Sequence, residues 1–230
     1  MTLVNRSPVK AFLFYLTTAG TKLATSLFSK SVTGVENLPK GAYVIAANHR
    51  SLVDGVIVVN EFNRVRRSPI HMIAYEEPFF HPLWGPLLRI SGCLPFNRGD
   101  KDSRANVLKL ALGFLREGEP VAIFPEGHLS PSNKMRRSRP GVAILALESG
   151  LPVVPVGLRG TEKVLPPNGG RLKVFGRQAS IEIGKPVYLD EESRNYLSCQ
   201  CSKRRQAILS GAGDKVMRAI AALSGQSYPY

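Results

Sequence analysis

Short apolar runs alternate along this chain with stretches whose apolar positions recur at helical spacing. The runs 42-AYVIAA-47, 70-IHMIA-74, 93-CLPF-96, 121-VAIF-124 and 153-VVPVGL-158 read as short buried strands. Between them the pattern predicts helices over roughly Leu52–Phe62, Leu83–Ile90, Ser103–Glu117 and Pro140–Glu148. The third is the clearest: Ala105, Leu108, Ala111, Leu112 and Leu115 fall on one side, and Gly118 stops it. Two more strands are expected near 171-RLKVFG-176 and 180-SIEIGKPV-187, and a last helix over about Asp214–Leu223. Strands alternating with helices predict an α/β fold, a single layered domain with a mostly parallel central sheet flanked by helices.

The first residues follow another pattern. In 11-AFLFYLTTAGTKLATSLF-28, Phe12, Leu16, Ala19, Leu23 and Leu27 share one helical face, with Lys22 and several threonines off it. That describes an amphipathic helix lying in a membrane interface, ahead of one packed on the domain or one that spans. A turn-rich stretch, 31-SVTGVENLPKG-41, follows. We therefore expect a membrane-associating segment over 1–34 and one domain over 35–230.

Composition changes this picture in one respect. Hydrophobic content of 43% is ordinary for a globular chain, but 31 Lys and Arg face only 17 Asp and Glu. A net charge of +14 implies a polyanionic partner. Aromatic residues do not alternate with the basic ones as a base-stacking surface requires, so an anionic membrane surface is expected rather than nucleic acid. Cys93, Cys199 and Cys201 have no ligand cluster beside them and imply neither a disulfide framework nor a zinc site. His71 and His81 have no partner in sequence and read as structural.

In parallel sheets chemistry gathers beyond the carboxyl ends of the strands. After the first strand comes 48-NHRSLVD-54. Asn48 or Ser51 can cap the next helix, with Asp54 in its first turn. A spacing of five residues then permits a His49–Asp54 hydrogen bond, which makes His49 a candidate general base; a capping or solvated histidine is the plainer alternative. Arg98 follows the strand at 93–96, where a guanidinium suits either a surface ion pair or a phosphate. The turn 125-PEG-127 follows the strand at 121–124, and Arg159 the one at 153–158. No G-x-S-x-G nucleophile elbow and no phosphate-cradling glycine loop is present. Direct transfer to an activated hydroxyl is therefore expected, with no covalent enzyme intermediate.

Taken together, these segments resemble the glycerolipid acyltransferases of the 1-acylglycerol-3-phosphate acyltransferase type. 48-NHRSLVD-54 looks like their N-H-x-S-x-x-D motif, and 92-GCLPFNR-98 like the second, a glycine followed six residues later by arginine. 124-FPEG-127 with Ser130 is similar to F-P-E-G-T-R-S, and 153-VVPV-156 to the short V-P-V strand. The likeness runs from about Val35 to Tyr228. It implies a fatty acyl transfer from an acyl thioester to a lysophospholipid hydroxyl, most directly 1-acylglycerol-3-phosphate to phosphatidic acid. His49 would be the base and Asp54 its support. Arg98 would hold the acceptor phosphate, with Asn48, Ser51, Pro125, Glu126 and Gly127 shaping the acceptor pocket. The co-substrate would be acyl-CoA or acyl-carrier protein, without metal or cofactor, at the cytoplasmic face of the cell membrane.

This chain departs from the pattern at three positions. His128 and Leu129 replace the Thr and Arg of the third motif, and Tyr75 stands where many relatives have a lysine. Arg136, Arg137 or Arg139 can compensate from a neighbouring loop, and His128 can hydrogen-bond an acceptor. The alternatives are therefore another lysophospholipid or a glycolipid acceptor or, from a different class, a non-catalytic basic protein on anionic membrane or nucleic acid.

Overall fold

The computed structural model describes residues 29–66, 70–82, 84–130, 132–166, 173 and 178–230. The expected amphipathic helix at 11–28 and most of the expected strand at 171–176 lie outside the described residues. Strands β1 (Ser29–Thr33), β2 (Val44–Ala47), β3 (His71–Tyr75), β4 (Leu94–Phe96), β5 (Val121–Ile123), β6 (Val153–Arg159) and β7 (Ala179–Ile183) form one sheet. Their order is β1-β7-β6-β2-β5-β3-β4. β6, β2, β5, β3 and β4 are mutually parallel, and β7 reverses against β6. β1 joins β7 in parallel at the edge. Five strands therefore deliver their carboxyl ends to one rim.

The described residues also form the helices α1 (Asp54–Arg66), α2 (Trp84–Ile90), α3 (Lys101–Arg116), α4 (Gly141–Ser149) and α5 (Thr161–Val164) between strands, and α6 (Asp190–Ser198) and α7 (Ser202–Ser224) after the last one. β2 shows why the sheet is covered on both faces. Val44 and Ala46 enter the core made with α3, α4, α6 and α7, while Tyr43, Ile45 and Ala47 enter the core made with α1. The period of two thus divides a continuously apolar strand between two layers. α4 lies deepest, with Val142, Ala143, Leu145, Ala146 and Leu147 all buried.

Where the pattern and the fold differ, exposed or non-local structure is the cause. On α3 the buried face is Val107, Ala111, Leu112 and Leu115, so Ala105 faces solvent; Asp100 caps it, accepting from the Asp102 N–H at 2.8 Å. α7 begins twelve residues before the expected start, because its first turns carry Lys203, Arg204 and Arg205 in solvent and leave no apolar signature. Its far end packs so closely on β6 that a Cβ on Gly157 would stand 2.5 Å from the Leu223 carbonyl carbon. α6 escaped the apolar pattern, though Asp190, Glu191 and Glu192 in its first turn suit a helix N-terminus. At the opposite rim from the loops below, His71 is fully buried. Its Nε2 lies 2.5 Å from Glu119 and its Nδ1 3.0 Å from the Gly92 carbonyl.

Candidate active site

β2 ends at Ala47 and the chain turns through Asn48–Val53 before α1 begins at Asp54. The turn closes with the Asp54 N–H on the Ser51 carbonyl at 3.2 Å. This folds Asp54 back on the residues before it. Its buried Oδ2 accepts from the backbone N–H groups of Arg50 at 2.6 Å and Ser51 at 2.7 Å, and lies 3.0 Å from His49 Nδ1. An ionised carboxylate only accepts, so the proton on that side belongs to Nδ1 and Nε2 carries the lone pair. Nε2 has no hydrogen-bond partner among the described residues. The imidazole stacks on Phe124, with centroids 4.0 Å apart and planes 7° from parallel, and its side chain keeps 16% of its surface in solvent.

The His49 backbone is held from the other side. Glu126, in the turn after β5, is 1% exposed. One of its oxygens accepts the His49 N–H at 3.2 Å and the other the Arg136 N–H at 2.8 Å. Burial raises its pKa, opposed by the N–H groups of Arg136 and His49. The Ser130 N–H in turn donates to the His49 carbonyl at 2.6 Å. Gly127 turns with φ +64, and a Cβ there would lie 3.1 Å from Arg139 Cγ. The Arg139 N–H closes the loop on the Pro125 carbonyl at 2.8 Å.

One residue beyond Gly127 the rim becomes cationic. His128 Nδ1 lies 3.0 Å from an Arg98 guanidinium nitrogen, and its Nε2 lies 3.1 Å from one of Arg139. Tyr75, ending β3, sits under Arg98 with 3.8 Å from guanidinium carbon to ring centroid, and its hydroxyl donates to the Gly127 carbonyl. Desolvation first, then the charges of Arg98, Arg139 and Arg136, lower the pKa of His128. Arg98 and Arg139 make no salt bridge among the described residues.

The structure thus joins His49, Asp54 and Glu126 in one hydrogen-bonded group. It joins Arg98, His128 and Arg139 in a second, with Gly127 between the two. Asn48 and Ser51, expected at the acceptor, instead tie the frame together. Asn48 exchanges both amide hydrogen bonds with Leu158 and donates to Gln226 at 2.7 Å. Ser51 donates to the Leu165 carbonyl at 2.6 Å. Arg159 turns away to the Leu223 carbonyl and Glu182. Sequence reasoning missed Gln226, which also holds the Ser132 carbonyl, and the supporting role of Tyr75. Both lie far in sequence from what they hold, Gln226 from Asn48 and Tyr75 from Gly127, so no local pattern marks them.

Residues 30–159 match the family model described as Acyltransferase. A chloroplastic 1-acyl-sn-glycerol-3-phosphate acyltransferase of Brassica napus is 27% identical, over 74% of this chain and 50% of its own. One from Chlamydomonas reinhardtii is 30% identical, over 81% and 54%. The chain spans about half the length of these curated relatives. Among solved structures, the 1-acyl-sn-glycerophosphate acyltransferase of Thermotoga maritima superposes with a TM-score of 0.63 at 24% identity, over 93% of this chain and 82% of that one. That likeness is one of fold.

Proposed function

This chain belongs to the Acyltransferase family, and we propose that it moves a fatty acyl group from an acyl thioester to the free hydroxyl of 1-acylglycerol-3-phosphate, giving phosphatidic acid. The observation that carries this reading is the His49–Asp54 pair, whose carboxylate is pinned by two backbone N–H groups. His49 Nε2 takes the proton of the acceptor hydroxyl as its oxygen attacks the thioester carbonyl carbon. The tetrahedral adduct collapses, the carbon–sulfur bond breaks, and the proton on Nε2 passes to the departing thiolate. Asp54 keeps the ring in the right tautomer and balances the imidazolium that forms between the two steps. A base placed in this way contributes about 10²–10⁴-fold in rate.

Arg98 and Arg139 supply the charge for the acceptor phosphate, with His128 between them. Arg139 takes over the duty of the motif arginine that Leu129 displaces. Leu52, Val56 and Phe80, all substantially exposed, follow the ends of β2 and β3 on this same rim and favour an acceptor drawn from a bilayer. No helix among the described residues is long and apolar enough to cross a membrane. The donor is acyl-CoA or acyl-carrier protein, both anionic partners for a chain of charge +14.

The test is release of free CoA from a long-chain acyl-CoA in lipid or mild detergent, with His49→Ala in parallel. Release driven by 1-acylglycerol-3-phosphate and lost in the variant is expected. Release only with diester lysophospholipids or glycolipids would move the acceptor to the second reading, which Tyr75 and Leu129 favour. No His49-dependent release from acyl-CoA or acyl-carrier protein would sink acyl transfer by this base.

A further inference from the structure

Resting on the reading that Arg98 and Arg139 receive the acceptor phosphate, we propose that His128 couples phosphomonoester binding to the uptake of a proton, and so favours a dianionic monoester over a monoanionic diester. The geometry around the ring leads there. Nδ1 stands 3.0 Å from Arg98 and Nε2 3.1 Å from Arg139. A guanidinium can only donate, and a neutral imidazole has a single accepting nitrogen. One of the two contacts is therefore a hydrogen bond, and the other sets N–H against N–H. A protonated ring accepts from neither. One arginine thus faces a donor, and the two positive charges share a single acceptor.

A phosphate dianion resolves both problems. Its oxygens accept from both guanidiniums, which no longer need the ring. The imidazole nitrogen that had accepted is released, takes a proton from solvent, and can donate to the anion as well. The surroundings disfavour the protonated ring until then. Arg98 faces it from the loop after β4, and Arg139 and Arg136 from the segment before α4. Tyr75 contributes only a hydroxyl bonded to Gly127, and Glu126 is turned inward onto backbone N–H groups. Among the described residues, the charges that act on His128 are those of the three arginines. Two negative charges cancel the repulsion of two arginines, whereas the single charge of a diester leaves part of it. By linkage, affinity for the phosphate dianion then weakens with rising pH, by up to about tenfold per pH unit. The window runs from the pKa of the ring before binding, held below the ordinary 6.5, up to its pKa beside the bound anion.

Calorimetric titration of glycerol 3-phosphate into the wild-type protein and into His128→Gln tests this. Each titration is run near neutral pH in two buffers of different ionisation enthalpy. Glutamine keeps a donor and an acceptor but does not titrate, and proton changes on the ligand itself cancel between the two proteins. The expected result is an excess uptake of up to one proton in the wild type, with the His128 ring carbon resonances moving to imidazolium positions as ligand is added. Equal uptake in both proteins, or a ring that stays neutral when the site is full, overturns the coupling. Binding that is absent in the wild type, or unaffected by Arg98→Ala, overturns the phosphate reading itself, while intact binding without acyl transfer leaves the coupling standing and sinks the reaction.

Discussion

Asparagine at position 54 separates charge from position at the proposed base. Oδ2 of Asp54 is the shared acceptor of three N–H groups, two of them backbone. An asparagine must therefore place its carbonyl oxygen there, since its amide group would face the Arg50 and Ser51 donors. The oxygen still accepts from His49 Nδ1, and the reactive tautomer survives. What disappears is the negative charge that balances the imidazolium. A hydrogen bond to a charged group contributes about 1.5–3 kcal/mol against about 1 kcal/mol for a neutral one, and about 1.36 kcal/mol changes a rate tenfold. Asp54→Asn should thus lower kcat/KM by roughly 2- to 30-fold. That is far less than the loss on the order of 10⁴ that follows when an imidazole is held in the wrong tautomer. Asp54→Ala removes charge and anchor together and should cost at least about tenfold more than Asp54→Asn. The assay is initial-rate CoA release over a range of acceptor concentrations, with thermal unfolding run alongside to show that each variant folds. Equal losses in the two variants would refute the argument that backbone donors orient residue 54. A loss under about twofold in Asp54→Asn would refute a role for its charge.

Three other perturbations bear on the frame. Tyr75→Phe keeps the ring under Arg98 but removes the hydroxyl from the Gly127 carbonyl; acceptor KM should rise about fivefold, as for a net hydrogen bond of about 1 kcal/mol, and Tyr75→Leu should raise it further by removing the cation–π contact. An unchanged KM in both would contradict the support assigned to this residue. Glu126 has its pKa raised from 4.5 by burial, so the folded state holds a proton there more tightly than the unfolded chain does. The stability this contributes is complete below about pH 4.5 and is lost as pH rises through the raised value. The Tm difference between wild type and Glu126→Gln should therefore move in the variant's favour across that window, and a constant difference would count against it. Gly157→Ala forces a methyl onto the Leu223 backbone and should destabilise by about 1–3 kcal/mol, read as a lower Tm.

The parts of the fold legible in the sequence were those whose cause is local or periodic. β2 through β6 and α1 through α4 follow from apolar runs and helical spacing, with boundaries displaced by a few residues. β1 was hidden because Ser29–Thr33 is an edge strand defined by its pairing with β7, some 150 residues away in the chain. The opening half of α7 was hidden because solvent-facing turns leave no apolar record. At the site, the His49–Asp54 contact was readable because a five-residue loop constrains it. The Asn48–Gln226 and Tyr75–Gly127 bonds, and the seating of His128 between two arginines, depend on distant segments meeting at one rim. Side-chain type alone does not say whether a polar residue faces a substrate or a neighbouring backbone, which is why Asn48 and Ser51 read as acceptor contacts and sit as struts.

The turn 125-PEG-127 divides inheritance within the protein. Its buried carboxylate holds the His49 backbone, while the residue just past its glycine faces outward between Arg98 and Arg139. Changes at 128, 129 and 139 can therefore accumulate without moving His49. Under the proposed function, acceptor preference can drift at a few outward positions while the frame around His49 stays as it is.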